Sequence, residues 1–190
     1  MYATTSSCTS EFIMTNMVNA FESGFRKLIP AVLIYARQGD CILGDRILMV
    51  YRNGKEGDYH QGKWNGLGGK LEAGESMIEA ASRELAEEAG LNIEPARFEV
   101  LGTLQFPLFK PHRQEDWLVF VLSVDLEVHE KPWSRGPEGD LHFVEAGELT
   151  ELNVWEGDRL FLPLVRERKR FVGCIWYEQG MVARSWIQEF

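Results

Sequence analysis

Residues 69–91 read GKLEAGESMIEAASRELAEEAGL and carry more structural information than any other part of the chain. Ser76 and Glu79 form a capping box, which predicts a helix that begins near Ser76. Gly90 is the residue type that ends helices in the left-handed conformation, so the helix should stop there. Apolar residues recur at spacings of three and four, which predicts one buried stripe made of Ile78, Ala81, Leu85 and Ala89.

Three carboxylates in this helix predict a metal site. Glu84, Glu87 and Glu88 stand at positions i, i+3 and i+4, so their side chains should converge on a face beside the apolar stripe. Like charges at this spacing destabilise a helix that has no ion bound to it. A cation bound between the carboxylates would make the same arrangement stabilising. Hard oxygen ligands suit Mg²⁺, with Mn²⁺ as a substitute. The alternative interpretation is a solvated acidic helix face.

The segment before the helix is rich in glycine. It reads Trp64-Asn65-Gly66-Leu67-Gly68-Gly69-Lys70, and glycines let the backbone approach a ligand closely. We expect this segment to bring the Gly69 carbonyl to the metal and backbone amides to a phosphate. A tight turn is the alternative. The nearby cations that could neutralise a polyphosphate, or could be ordinary solvated surface, are Arg52, Lys63 and Lys70.

The fixed positions of residues 69–91 are similar to the Nudix box, and none departs from that family's pattern. They are Gly69, Glu75, Arg83, Glu84, Glu87, Glu88 and Gly90, with Leu85 and Leu91 in the apolar slots. The resemblance implies a hydrolase acting on nucleoside diphosphates linked to another group, with an α/β/α sandwich fold and a mixed β-sheet.

The same resemblance assigns roles within the box. Glu84 and Glu88 become the principal metal ligands, joined by Glu87 and the Gly69 carbonyl. Arg83 would orient the carboxylates through a charge-assisted pair, and the supporting residues are Glu75, Gly68 and Gly90. The residue that takes the proton from the attacking water differs among relatives, and the candidates here are Glu84, Glu87 and Glu138.

The flanks of the box, within residues 28–188, resemble the MutT-type enzymes and particularly the animal-type oxidised purine nucleoside triphosphatases. The resemblance implies that Asn65 hydrogen-bonds the purine, that Trp155 stacks on it and that Asp158 reads its edge. Phe106 is a candidate for the opposite wall of the base pocket. Each residue also has a simpler interpretation: Asn65 could hold a turn, Trp155 could be a core aromatic and Asp158 could cap a helix.

One position departs from the pattern of those enzymes. Two adjacent acids read the base there, whereas Gly157 occupies the first of the two positions here. The base preference is therefore open at this point.

These features together predict a Mg²⁺-dependent nucleoside triphosphate pyrophosphohydrolase that yields a nucleoside monophosphate and pyrophosphate. The best-matched substrate is an oxidised purine nucleotide such as 8-oxo-dGTP, and the expected role is sanitation of the nucleotide pool. An ADP-ribose or nucleotide-sugar diphosphatase is the alternative, because enzymes of that subgroup tend to carry a proline beyond the box, where Pro107 stands. A catalytically inactive Nudix module that senses nucleotides should have lost a metal carboxylate, and all are present.

The composition of the 190 residues bounds the remaining possibilities. We expect residues 25–190 to form a single Nudix domain and residues 1–24 to be a flexible tail. A net charge of −9 argues against binding to a nucleic acid polymer. No apolar stretch is long enough to span a membrane.

The three cysteines are widely separated and form no CxxC pair, which suggests reduced thiols in a cytoplasmic protein. We also expect a monomer whose partner is a small nucleotide.

Apolar runs separated by turn residues predict the other elements. Strands are expected at residues 28–36, 46–51, 97–108, 117–128, 142–144, 171–177 and 181–187. Turns or loops are expected at residues 37–40, 53–62, 131–140 and 179–180. A second helix is expected at residues 160–170, with Pro163 near its first turn. A mixed sheet with helices on both faces is the simplest packing of these elements.

Overall fold

The computed structural model describes residues 26–40, 44–54 and 59–190. The predicted tail at residues 1–24, Cys8 and Cys41 lie outside the described residues, as does part of the loop expected at residues 53–62. The extent of the domain, residues 25–190, therefore stays a prediction.

Eight strands of the described residues form one mixed sheet. They are β1 (Lys27–Asp40), β2 (Gly44–Tyr51), β3 (Trp64–Asn65), β4 (Glu99–Lys110), β5 (Glu115–Asp125), β6 (Asp140–Glu145), β7 (Phe171–Glu178) and β8 (Met181–Glu189). The order is β3-β2-β1-β5-β4-β7-β8, and β6 also pairs with β2. The β1–β5 and β4–β7 pairs are parallel, and the other pairs are antiparallel. The helices are α1 (Met77–Ala89) and α2 (Asp158–Arg166), with 3₁₀ turns at Pro95–Arg97 and Pro111–Arg113.

The two helices lie on opposite faces of the sheet. Successive side chains of a strand point to opposite faces. In β1, Ala31 and Tyr35 enter the apolar cluster that contains α2, whereas Val32 and Ile34 enter the cluster that contains α1. The strand β2 alternates in the same way between the two clusters. The predicted α/β/α sandwich with a mixed sheet is confirmed.

Helix α1 has the boundaries and the buried stripe that its sequence predicts. The Ser76 side chain accepts a hydrogen bond from the Glu79 amide, and the Glu79 carboxylate accepts one from the Ser76 amide at 2.9 Å. Gly90 ends the helix with a φ of 70°, in the left-handed region. The residues of the predicted stripe lie in one apolar cluster, with Ala81, Leu85 and Ala89 fully buried and Ile78 half-buried.

The first strand is longer than its apolar run suggests. The turn expected at residues 37–40 is wrong, because these residues continue β1 and pair with residues 44–47 of β2. The pairing of the two strands satisfies the backbone groups of a polar segment. A polar, glycine-containing sequence gives no local sign of such pairing.

The second helix is shifted relative to its prediction. It runs over Asp158–Arg166, and Pro163 therefore lies in its second turn, where the prediction for the first turn is wrong. The helix ends before residue 170 because Arg168 has a φ of 54°, which is outside the helical region. The β3 strand was not expected, and β4 begins after the 3₁₀ turn at Pro95–Arg97.

A buried arginine joins the end of α2 to the β1–β2 hairpin. Arg37 is 3% exposed, and its guanidinium donates hydrogen bonds to the carbonyls of Val165 at 2.8 Å and Arg166 at 3.0 Å. The Val165 carbonyl also accepts from the Arg168 amide at 3.1 Å, whereas the Arg166 carbonyl, at the end of the helix, receives from Arg37 a donor that the helix cannot supply. The same guanidinium pairs with Asp45 on β2, whose side chain is 47% exposed.

We expect Arg37→Met to lower the free energy of unfolding by about 2 kcal/mol, because two helix-end carbonyls lose a charged donor in a buried place. Asp45→Asn is the control and should cost less than about 1 kcal/mol, because Asp45 keeps contact with solvent. Urea unfolding of the two variants measures both values. Equal losses would show that the ion pair, and not the helix-end contact, provides the stability.

Candidate active site

Two glutamates of α1 are buried where the helix meets the glycine-rich segment. Glu84 and Glu88 are 9% and 8% exposed. The Gly68 amide donates a hydrogen bond to Glu88 Oε2 at 2.9 Å. A Cβ atom on Gly69 would lie 2.3 Å from Glu84 Oε1, and one on Gly68, whose φ is +138°, would lie 2.2 Å from the Val32 carbonyl oxygen. Gly69 therefore allows the backbone to approach Glu84, and Gly68 allows the segment to approach β1 while its amide bonds Glu88.

The glycine-rich segment is held against β1. Leu67 and Ile34 exchange two backbone hydrogen bonds, of 2.7 and 3.2 Å, and the Val32 amide donates to the Gly69 carbonyl at 2.8 Å. A carbonyl oxygen has two lone pairs, so the Gly69 oxygen retains the capacity to bind a second partner.

Arg83 links the carboxylates at this end of the helix. Its guanidinium donates to both oxygens of Glu75, at 2.9 and 3.0 Å, and to Glu84 Oε1 at 2.9 Å. It also donates to Glu87 Oε2 at 3.3 Å and to the Lys70 carbonyl at 3.0 Å. Hydrogen bonding to Arg83 lowers the pKa of Glu75, and the carboxylate partners raise the pKa of Arg83. A bidentate pair of this kind fixes the direction of the guanidinium.

Burial changes the proton affinity of the two inner carboxyls. It raises the pKa of Glu88 to about 7, although the hydrogen bond from the Gly68 amide and the charge of Arg52 act in the opposite direction. Burial also raises the pKa of Glu84, against the lowering effect of Arg83. Two carboxylates that are costly to ionise side by side would be stabilised in their charged form by a cation between them.

The oxygen atoms of the α1 carboxylates fit a divalent metal that also keeps water molecules and substrate phosphates as ligands. Across residues 26–40, 44–54 and 59–190, no three Asp, Glu, His or Cys side chains gather into a metal-binding group. Glu84 and Glu88 are buried, whereas the Glu87 side chain is 60% exposed. Mg²⁺ is commonly held by one or two carboxylates together with water and substrate phosphates. The residues present therefore suit Mg²⁺ better than a metal that needs a full protein cage.

A cavity of about 260 Å³ opens beside Gly68 and Gly69. It is lined by Ala31, Val32, Leu33, Arg52, His60, Asn65, Gly66, Gly68, Gly69, Phe106, Phe109, Trp117, Val119, Glu138, Trp155, Asp158 and Tyr177. Five residues predicted to bind the substrate are among them: Arg52, Asn65, Phe106, Trp155 and Asp158. Lys70 is not, and its ammonium lies 5.3 Å from the centre of the Trp117 ring.

A histidine joins two of the predicted base-binding residues. The Trp155 indole N–H donates to His60 Nδ1 at 2.9 Å, and Asn65 Nδ2 lies 3.3 Å from the same nitrogen. Tyr59 stacks on Trp155, with ring centres 5.0 Å apart and planes 16° from parallel. Tyr59 therefore covers part of the Trp155 ring, and the Lys63 ammonium also lies over this ring, 5.2 Å from its centre.

Asp158 is the first residue of α2 and not its cap. The cap position belongs to Gly157, and no side chain bonds the first turn from there. Part of the residue is exposed, but burial of its carboxyl group raises the pKa of Asp158 to about 7 against the lowering effect of Lys63. A carboxyl with this pKa can serve either as a hydrogen-bond donor or as an acceptor near neutral pH.

Arg52 and Glu138 form an ion pair in the wall of the cavity. Glu138 reaches this place because its loop is tied to β2 and α1: its carbonyl accepts from the Gly54 amide at 3.2 Å, and the Trp133 amide donates to the Ala89 carbonyl at 2.9 Å. The structure thus brings a predicted phosphate-binding cation and a predicted proton acceptor together.

Several lining residues were missed by the sequence analysis, namely His60, Phe109, Trp117 and Tyr177. The alternation of β5 could have indicated Trp117, because Trp117 and Val119 share a face of that strand. His60 lies in a loop without periodicity, and no pattern marks it.

Comparison with known proteins identifies the family. The family model described as NUDIX domain matches residues 27–165. The chain belongs to the Nudix family. An oxidized purine nucleoside triphosphate hydrolase of Danio rerio is 29% identical over 152 residues, which is 80% of this chain and 87% of that protein. The protein of the same name from Mus musculus is 29% identical over 119 residues, or 63% of this chain and 72% of that protein. The predictions of a Nudix protein and of a hydrolase are confirmed.

Solved structures show the Nudix fold. A MutT protein from Bacillus halodurans superposes with a TM-score of 0.69 at 22% identity, covering 84% of this chain and 97% of that one. The Nudix domain of NrtR from Shewanella oneidensis, solved with ADP-ribose, gives a TM-score of 0.59 at 16% identity, covering 82% and 97%. In the described part of this Nudix hydrolase, neither helix has the length and apolar character needed to cross a membrane.

The raised pKa of Glu88 gives a pH-dependent stability that can be measured without substrate. Between the ordinary value of 4.5 and about 7, the folded state holds more protons than the unfolded state. The stabilising contribution of protonated Glu88 is therefore complete below the first value and is lost as the pH rises through the second. We expect the stability of the wild type relative to Glu88→Gln to fall by up to about 3 kcal/mol between pH 4.5 and 8 in a chelator.

Urea unfolding of the two proteins across this range measures the difference. Glu79→Gln, a change of the same type at an exposed position of the same helix, is the control and should not show the trend. Parallel curves for wild type and Glu88→Gln would contradict a raised pKa at Glu88.

Proposed function

We propose that this Nudix hydrolase is a nucleoside triphosphate pyrophosphohydrolase that acts on purine nucleotides, with oxidised forms such as 8-oxo-dGTP as its best-matched substrates. One observation carries the proposal. A cavity with aromatic walls and a few polar groups lies directly beside the glycine backbone that contacts the buried Glu84 and Glu88. A base in the cavity would place its phosphates toward those carboxylates.

The names of the relatives support the same substrate class. Two of them, from Danio rerio and Mus musculus, are called oxidized purine nucleoside triphosphate hydrolases. The proline that motivated an ADP-ribose hydrolase has a structural explanation, because Pro107 lies where the β4–β5 register shifts between Phe106 and Lys110. Proline is common at such bulges, since it donates no backbone hydrogen bond.

The cavity residues bind and orient the base in this proposal. Trp155 meets one face of the purine through the part of its ring that Tyr59 and the Lys63 ammonium do not cover, and Phe106 closes the opposite side. Asn65 and Asp158 supply the polar contacts at the edge. Asp158 can donate or accept because burial raises its pKa to about 7, so it can adapt to the tautomer presented.

The buried carboxylates would hold Mg²⁺, with Mn²⁺ as a substitute. Glu84 and Glu88 are the principal ligands, and the Gly69 carbonyl and Glu87 are the further candidates. When bound, the divalent metal supplies a Lewis acid that neutralises charge on the phosphate oxygens. Arg83 keeps Glu84 in place through its hydrogen bond, and Glu75 holds Arg83 from the other side.

The proposed reaction breaks one phosphoanhydride bond. The oxygen of water forms a bond to one phosphorus atom of the α–β anhydride, and the bond from that phosphorus to the bridging oxygen breaks. The products are the nucleoside monophosphate, pyrophosphate and one proton. Glu138 accepts the proton from water, because it lines the cavity while the Glu87 side chain is largely exposed. The ion pair with Arg52 holds the Glu138 carboxylate in the cavity wall.

The proposal is tested by product analysis with Mg²⁺ on four substrates at equal concentration: 8-oxo-dGTP, dGTP, ADP-ribose and a UDP-sugar. We expect preferential conversion of 8-oxo-dGTP to its monophosphate and pyrophosphate. Glu84→Gln is the control for the site and should lower kcat by at least ~10²-fold, because metal-assisted stabilisation is lost. Glu79→Gln should retain the wild-type rate.

Preferential cleavage of ADP-ribose or the UDP-sugar would overturn the assignment of a nucleoside triphosphate as substrate. It would not affect the assignment of the metal ligands. Wild-type turnover by Glu84→Gln would instead contradict the assignment of the carboxylates.

A further inference from the structure

His60 contacts two other side chains of the cavity wall, Asn65 and Trp155. It lies in the loop before β3, Asn65 lies in β3, and Trp155 lies just before α2. The Trp155 indole and the Asn65 amide both turn a nitrogen toward His60 Nδ1, at 2.9 and 3.3 Å. No other part of the proposed function assigns a task to this imidazole.

The chemistry of the indole fixes the direction of both contacts. An indole N–H is a donor only, so His60 Nδ1 must be an acceptor and cannot carry a proton while that bond exists. Nδ1 has one lone pair, which the indole N–H occupies, so the amino group of Asn65 can only share it at 3.3 Å, whereas the Asn65 oxygen would be repelled. The Asn65 amide therefore has one preferred orientation, with Nδ2 toward His60.

This orientation determines which atom of Asn65 is left without a partner. Asn65 Oδ1 is buried and receives no hydrogen bond from any residue that the structure describes. A buried acceptor without a partner is unfavourable, and a donor that reached it would remove this cost. Because this oxygen has no contact with solvent, a ligand N–H reaches it only when the neighbouring side chains of the cavity wall move aside.

We propose that His60 is a positioning residue that orients Asn65 and Trp155, and that it thereby makes the cavity select bases that carry an N–H donor. This inference rests on the proposed function, because it concerns the base of the same substrate. His60 acts through its two neighbours and touches neither the phosphates nor the buried carboxylates.

The backbone around this contact is held independently of His60. The Asn153 side chain donates to the Gly62 carbonyl at 2.9 Å and accepts from the Lys63 ammonium at 2.9 Å, and the Trp64 amide donates to the Asn153 carbonyl at 3.1 Å. Loss of the imidazole should therefore release two side chains and leave the loops in place.

A packing role is the competing explanation for His60. Its ring makes edge contacts with Trp155 at 5.5 Å and with Tyr59 at 5.3 Å between ring centres. His60→Phe keeps a ring there and removes the acceptor. His60→Asn removes the ring but offers an oxygen at the same number of bonds from Cβ as Nδ1. The two variants thus separate hydrogen bonding from packing.

The test compares kcat and KM for two nucleotides in the wild type, His60→Phe and His60→Asn. The nucleotides are dGTP and the triphosphate of deoxynebularine, a purine with no N–H on its ring edges. We expect the wild type to prefer dGTP by about tenfold or more in kcat/KM, since a site with an unpaired acceptor rejects a ligand without donors. His60→Phe should lose most of this preference through a higher KM for dGTP, with little change in kcat, and His60→Asn should retain it.

Other outcomes overturn the inference. An unchanged preference in His60→Phe, or equal increases in KM for both nucleotides, would show that His60 only packs against its neighbours. Equal behaviour of the two variants would exclude the acceptor as the cause. Absence of turnover of both nucleotides by the wild type would overturn the proposed function itself, which distinguishes that failure from a failure of the His60 assignment. Thermal unfolding of all three proteins checks that the fold is unchanged.

Discussion

The burial of two carboxylates at one end of α1 is the constraint on which the site depends. Glu84 and Glu88 pack against the Gly68–Gly69 backbone so closely that a side chain at Gly69 would overlap a carboxylate oxygen. Burial at this distance opposes ionisation, as the pKa of about 7 at Glu88 shows. Without a bound cation, two buried carboxylates side by side raise the free energy of the folded protein. A bound cation stabilises the same arrangement, which is the physical reason to regard it as functional.

The rest of the site is arranged around that place by a single short segment. Residues 64–70 carry Asn65 at one end and the glycines at the other, so the cavity and the carboxylates share one piece of backbone. Hydrogen bonds to β1 at Val32 and Ile34 hold the segment in place. A shift of the glycine-rich backbone would therefore disturb the cavity wall and the carboxylate contacts together, which in the proposed function couples recognition of the base to the position of the phosphates.

The parts of this fold that could be predicted from the sequence are those set by local interactions. The capping box, the left-handed Gly90 and the apolar spacing lie within a few residues of one another, and α1 has the predicted bounds. The end of β1 could not be predicted, because residues 37–40 become a strand only by pairing with β2. His60 and Tyr177 were missed for a similar reason: they reach the cavity through contacts between segments that are distant in the sequence.

Binding of Mn²⁺ in the absence of nucleotide shows whether the buried carboxylates of α1 hold the metal. Free Mn²⁺ can be followed by electron paramagnetic resonance at pH 8, where the wild-type carboxylates are ionised in the presence of metal. If Glu88 is a metal ligand, we expect Glu88→Gln to weaken Mn²⁺ binding by at least about tenfold. Glu79→Gln, on the same helix, should bind Mn²⁺ like the wild type. Equal Mn²⁺ affinity of Glu88→Gln and wild type would contradict the account, because the buried carboxylates would then not be the metal ligands.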